Sequence, residues 1–137
     1  MSATIFSQSI ARQWNEEVLN GIRNDLARPT VHARNLFHTS VAMYDVWSVF
    51  NPYAESFLLG KTVGDYTSIF NGFSSRESIV KARKKAISYA LYRIILHRFE
   101  NAPKQAIIVN SVNSLMFDLG YDVSITSSNY ESGDAAA

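Results

Sequence analysis

Apolar side chains recur at every fourth position from Ile10 through Trp14, Val18 and Ile22 to Leu26, with Leu19 beside them. That period gathers them into one stripe of an α-helix and leaves Arg12, Glu16, Asn20 and Arg23 on its other faces. Four segments of the chain carry helical spacing and none alternates as a strand does, so the sequence predicts an all-α fold. The first helix is expected from about Ser7 to Leu26. Pro29 ends it, because the residue before a proline is pushed out of the helical region.

A second helix is expected with Thr30 as its N-cap, running to about Phe50, where Asn51-Pro52 closes it. Leu36, Phe37, Val41, Met43, Tyr44, Val46, Trp47, Val49 and Phe50 make it apolar on more than one face. Such a helix belongs in the middle of a structure. It is expected to be the most buried element.

From Pro52 to Phe73 the spacing is irregular and Gly60, Gly64 and Gly72 punctuate it, yet Phe57, Leu58, Leu59, Tyr66, Ile69 and Phe70 lie within it. So long and so apolar a connection is expected to pack over the helices. Ser74 with Glu77 three residues on fits a capping box, which starts the third helix. Ile79, Ala82, Ala86, Ala90 and Ile94, with Ile87, Leu91 and Ile95, supply its apolar face. The fourth helix takes Pro103 in its first turn and Gly120 just past its end, and buries Ile108, Val112, Leu115, Met116 and Leu119.

The expected architecture is therefore a bundle of about four main helices with a packed irregular segment between the second and third, and no sheet. Residues 1–120 form the helical region. Residues 121–137, rich in Ser, Asp and Ala, form an irregular tail that reads as a truncation point inside a longer protein.

Composition narrows the function classes. Hydrophobic residues at 47% against charged residues at 18% support one buried core in a chain of 137 residues. Lys and Arg total 13 against 12 Asp and Glu, so no general attraction for nucleic acid is expected. The positive run Lys81 to Lys85 with Arg93, His97 and Arg98 is spread around its helix and flanked by Glu77 and Glu100. A solvated helix face is its simplest reading. No stretch approaches the ~20 apolar residues of a membrane span. The absence of cysteine excludes disulfides, thiolate zinc sites and cysteine nucleophiles. Met1 to Arg12 shows no continuous apolar core of the kind a signal peptide needs, and the chain carries no visible address.

The densest polar cluster lies in the second helix: His32, Arg34, Asn35, His38 and Asp45. Asn35, His38, Ala42 and Asp45 fall at spacings of three and four and share a stripe. As a functional site they are a pocket wall with His38 and Asp45 handling a proton or a metal. Two turns separate that pair, roughly 10 Å along the axis, so they cannot share one metal ion. The simpler reading is that these groups satisfy backbone groups and one another where the helix meets its neighbours. Trp14, Phe37, Tyr44 and Trp47 sit on apolar stripes and are expected in the core. No phosphate loop, Gly-x-Ser-x-Gly elbow or His-Glu-x-x-His pair is present. No catalytic, cofactor-binding or metal-ligating residue is assigned.

The segment Ala27-Arg-Pro-Thr-Val-His-Ala-Arg-Asn-Leu-Phe-His-Thr-Ser-Val-Ala-Met-Tyr-Asp-Val-Trp47 resembles the N-terminal helical region of proteins related to vanadium-dependent haloperoxidases. That superfamily also contains the type-2 phosphatidic acid phosphatases. Trp14-Asn15-Glu16 and Asn129-Tyr-Glu-Ser-Gly-Asp-Ala-Ala136 are similar to it as well. The resemblance implies an α-helical parent several times longer, often exported in bacteria. Its vanadate or phosphate site is built from Lys-x6-Arg-Pro, Pro-Ser-Gly-His and Ser-Arg-x5-His, in which cations stabilise an oxyanion. Here Gly21 stands where the Lys before Arg28-Pro29 would be, and Ala82 where the His after Ser75-Arg76 would be. No catalytic residue carries over. The motifs, and any vanadate, are expected downstream of Ala137.

The resemblance thus implies the N-terminal structural part of a haloperoxidase-like or phosphatase-like enzyme, inactive alone, with downstream helices or a second copy of the chain as its partner. Two rivals remain, a self-sufficient helical module that binds a partner protein and a small-molecule-binding bundle that uses the His32 to Asp45 stripe.

Overall fold

The computed structural model describes residues 8–137. Ser7, the expected start of the first helix, lies outside the described residues. Four helices dominate: α1 (Ile10–Arg23), α2 (Pro29–Val49), α3 (Ile79–Arg98) and α4 (Gln105–Asp118). The expectation of no sheet is corrected by a small antiparallel hairpin, β1 (Thr62–Val63) with β2 (Tyr66–Thr67), paired Thr62 to Thr67 and Val63 to Tyr66. Gly64-Asp65 forms its two-residue turn, with Gly64 at positive φ as such tight connections require.

The helix boundaries correct several expected signals. Ser9 caps α1 through its side chain, which accepts from the Arg12 N–H. The helix stops at Arg23, where Asn24 donates its side-chain amide back to the Asn20 carbonyl and side-chain oxygen. Pro29 therefore does not end α1. It is the first residue of α2, a position where its missing N–H costs nothing and its fixed φ fits the helix. Arg28, not Thr30, is the N-cap of α2. The capping serine of α3 is Ser78, accepting from the Lys81 N–H, while Ser75 instead accepts from the Glu77 N–H and Ser74 lies before the helix. Pro103 precedes Lys104, the N-cap of α4, and so lies outside that helix. At its other end Gly120 takes positive φ and donates to the Phe117 carbonyl, while Tyr121 donates to Met116. Those two bonds close the orphan carbonyls of the last turn.

The central helix is α3, not α2. It packs against all three other helices and buries Ala82, Ile87, Ser88, Tyr89, Leu91 and Ile95. Trp14 and Val18 of α1 and Ile108, Val112 and Met116 of α4 meet it in one continuous core, closed by Phe99. Each such aliphatic side chain contributes ~1.5–3 kcal/mol by leaving water. Trp14 lies fully buried and satisfies its indole N–H on the Ser88 hydroxyl at 3.0 Å. Ser88 in turn donates to the Lys84 carbonyl. Phe99 reaches α1 where Gly21 allows it: a Cβ at that position would stand 2.5 Å from the ring.

The buried positions of α2 are His32, Asn35, Thr39, Asp45 and Ser48, whereas Leu36, Phe37 and Tyr44 are exposed. Apolarity on several faces thus reflects outward apolar side chains, not a central place. Phe37 and Tyr44 are accordingly not core, Trp47 is half-buried, and Trp14 alone of those four aromatics lies wholly inside.

Residues 121–137 are irregular apart from one 3-10 turn, Tyr130–Ser132, and they lie back on the bundle. The Tyr89 hydroxyl donates to the Asp122 carbonyl, Arg93 donates to Ile125, and Ala135 and Ala136 are buried. Among the described residues no helix is long and apolar enough to cross a membrane.

Candidate functional site

The polar stripe of α2 meets three different surroundings. At its N-terminal end, the His32 Nε2 lies 2.7 Å from the Leu26 carbonyl, fastening the α1–α2 connection to the first turn of α2. Asp25, in the same connection, pairs with Arg28 at 2.8 Å. Burial works against the Asp25 charge, but Arg28, the Leu26 N–H and nearby His32 together hold its carboxyl below the ordinary 3.8. Arg34 points into solvent. Asn35 is buried, and its side-chain N–H group finds no partner among the described residues.

In the middle of the helix, the Arg98 guanidinium of α3 donates to His38 Nδ1 across the α2–α3 seam. An arginine can only donate, so the imidazole nitrogen facing it must be unprotonated and the ring neutral. Burial first, then the charges of Arg98 and Arg34, lower the His38 pKa from its ordinary 6.5.

At the C-terminal end, Asp45 acts on the connection that follows. Its carboxylate accepts the backbone N–H groups of Phe57, Leu58 and Leu59, the last two at 2.9 Å each. One buried carboxylate thereby satisfies three successive donors of an irregular segment, a charge-assisted arrangement stronger than neutral hydrogen bonds. The Tyr44 hydroxyl adds a bond to the Glu55 carbonyl. Aromatic contacts of Phe37 with Phe57 and of Phe50 with Phe73 complete the attachment.

His38 and Asp45 do line one hollow of about 280 Å³, with Leu58, Ile94 and Arg98. They do not act as a pair, since the imidazole faces Arg98 and the carboxylate faces the amides of residues 57–59. A second hollow of about 200 Å³ lies between α2, residues 69–73 and the end of the chain, walled by Phe50, Phe70, Phe73 and Tyr130. Its acid, Asp134, is bonded to Lys85 at 2.8 Å. Neither hollow brings a nucleophile and a base together.

Three cations of the basic run, Lys85, Arg93 and Arg98, therefore depart from a solvated face. Lys85 is half-buried and pairs with Asp134 and, at 3.6 Å, with Glu77, while Arg98 lies in the α2–α3 seam. Lys81 and Lys84 are exposed. As site candidates the sequence singles out His38 and Asp45, whereas Lys85 and Arg98 enter it only as members of the basic run and Asp134 only within the resembling segment at residues 129–136. Arg98 offered only a weak signal, as a cation one turn past the apolar residues Ile94 and Ile95. Comparison with family profiles, curated proteins and solved structures finds no match for this chain.

Proposed function

We propose that this chain is the N-terminal helical part of a vanadium haloperoxidase-like or phosphatase-like enzyme, a scaffold that does not itself carry the reaction. The observation that supports this most directly is the use made of Asp45. The one carboxylate of the polar stripe is committed to three backbone amides, which makes it an organiser of the 51–78 connection. The cations do not suit a vanadate site either. Arg98 is bonded to His38, Lys85 to Asp134, and Arg34 stands apart in solvent. No reaction step is assigned to these residues. A scaffold also leaves outward apolar side chains for its neighbours to cover, and Leu36, Phe37 and Tyr44 on α2 and Ile107 and Phe117 on α4 are exposed here.

A second reading, a self-contained helical module that binds a partner protein, is favoured by the continuous core and by the packing of residues 121–137 onto α3. The two are separated by one set of measurements on residues 1–137. Bromide oxidation with vanadate and peroxide, hydrolysis of a phosphate ester, and mass in solution are determined beside a longer chain carrying the downstream coding sequence. The scaffold reading expects no turnover from 1–137, self-association of that chain, and activity on extension. A monodisperse monomer with a sharp melt would favour the module, and vanadate-dependent turnover by 1–137 would refute both.

A further inference from the structure

We propose that the His38–Arg98 contact is an acid-sensitive clamp between α2 and α3, closed while the His38 ring is neutral and opened when it takes up a proton. The geometry fixes the chemistry. Arg98 donates to Nδ1, so that nitrogen must present a lone pair, and the ring's own hydrogen sits on Nε2. A proton arriving from solvent binds Nδ1, removes the acceptor, and leaves an imidazolium against a guanidinium.

Among the described residues no carboxylate is bonded to His38 or Arg98 to offset that repulsion directly. On α2, Arg34 lies one turn before His38 and adds a second positive charge. Asp45 lines the same hollow, but its carboxylate holds the Phe57, Leu58 and Leu59 amides and cannot turn to the ring without releasing them. From the overlying connection the hollow receives Leu58, and from α3 Ile94, neither of which carries charge. Arg98 has no carboxylate within ion-pair distance among the described residues, and its Nε is buried without a partner. Its bond to His38 is thus the anchor of a partly buried cation. Two like charges in contact repel, so protonation turns this contact from a bond across the α2–α3 seam into a repulsion.

Burial and the two guanidinium groups place the opening below pH 6.5. Residues 1–137 are titrated from about pH 8 to about pH 4.5 by NMR of the imidazole protons, with thermal melts over the same range, for the wild-type chain, His38→Gln and Arg98→Met. The clamp expects His38 to titrate below 6.5, a wild-type melting temperature that falls through the same window, and a weaker fall in His38→Gln. Arg98→Met is expected to move the His38 titration upward. Titration of His38 at or above 6.5, or parallel pH dependence of the wild-type and His38→Gln melts, overturns the proposal. The wild-type titration stands even where a variant fails to fold.

Discussion

The Lys85 ammonium on α3 lies 2.8 Å from the Asp134 carboxylate, three residues from the end of the chain. Together with the Ala136 N–H, which donates to the same carboxylate, it seats the buried Ala135 and Ala136 against the bundle. The Lys85 hydrogen bond is the main cause holding the Asp134 carboxyl below its ordinary 3.8. The unfolded chain therefore takes up this proton at higher pH than the folded one. The pair's stabilisation is complete above pH 3.8 and is lost as pH falls through the lower folded value. Asp134→Asn is expected to flatten the acid limb of the stability curve below 3.8. Because the pair is partly exposed, its loss at neutral pH costs about 0.5–1 kcal/mol, readable by urea titration.

Asp45→Asn tests the organiser of the 51–78 connection. An amide oxygen retains part of the acceptor capacity, but the charge is lost and an N–H group now faces backbone donors. The expected cost is about 2–3 kcal/mol, with hydrogen exchange at Phe57, Leu58 and Leu59 accelerated well beyond that of the α3 core. Unchanged protection of those three amides would show that the carboxylate does not hold them.

Gly21→Ala sets helix propensity against packing. Alanine favours a helix interior by ~1 kcal/mol over glycine, but its Cβ would stand 2.5 Å from the buried Phe99 ring. Overpacking of this kind costs about 1–3 kcal/mol, so the variant is expected to be less stable. Adding Phe99→Leu should recover part of the loss. A double-mutant cycle that proves additive would mean that the two residues do not touch.

Ser88→Ala removes the acceptor for the Trp14 indole N–H and leaves that donor buried and unsatisfied. The expected loss is ~1–3 kcal/mol in chemical denaturation. Ser88→Thr, which keeps a hydroxyl, is the comparison, and an unchanged stability in Ser88→Ala would show that the hydrogen bond does not hold Trp14.

Four helices are legible in the sequence because each supplies several apolar residues at the helical period, as Ile10, Trp14, Val18 and Ile22 do for α1. The hairpin escaped because strands of two residues are too short to alternate. Its one signal was Gly64-Asp65 between Val63 and Tyr66. Ser74, Ser75 and Ser78 compete to cap α3, and the choice turned on which hydroxyl meets an N–H three residues on, a backbone matter that composition does not contain. The depth of α2 is not legible because apolar content does not fix burial, and its inward stripe carries Asn35, Thr39, Asp45 and Ser48. At the polar cluster, the residue types were visible but their partners were not. The amides held by Asp45 lie 12 to 14 residues further on, and Arg98 lies 60 residues from His38.

The placement of the two tryptophans also equips the protein with separate optical reporters. Trp14 is sealed in the core on Ser88, while Trp47 lies half-buried on α2 with its ring centroid 5.9 Å from that of Tyr44. A water-borne quencher therefore extinguishes the emission of Trp47 first and reaches Trp14 only when α1 leaves α3. Intrinsic fluorescence can consequently distinguish an event confined to the outer helix from loss of the whole fold, without any label attached.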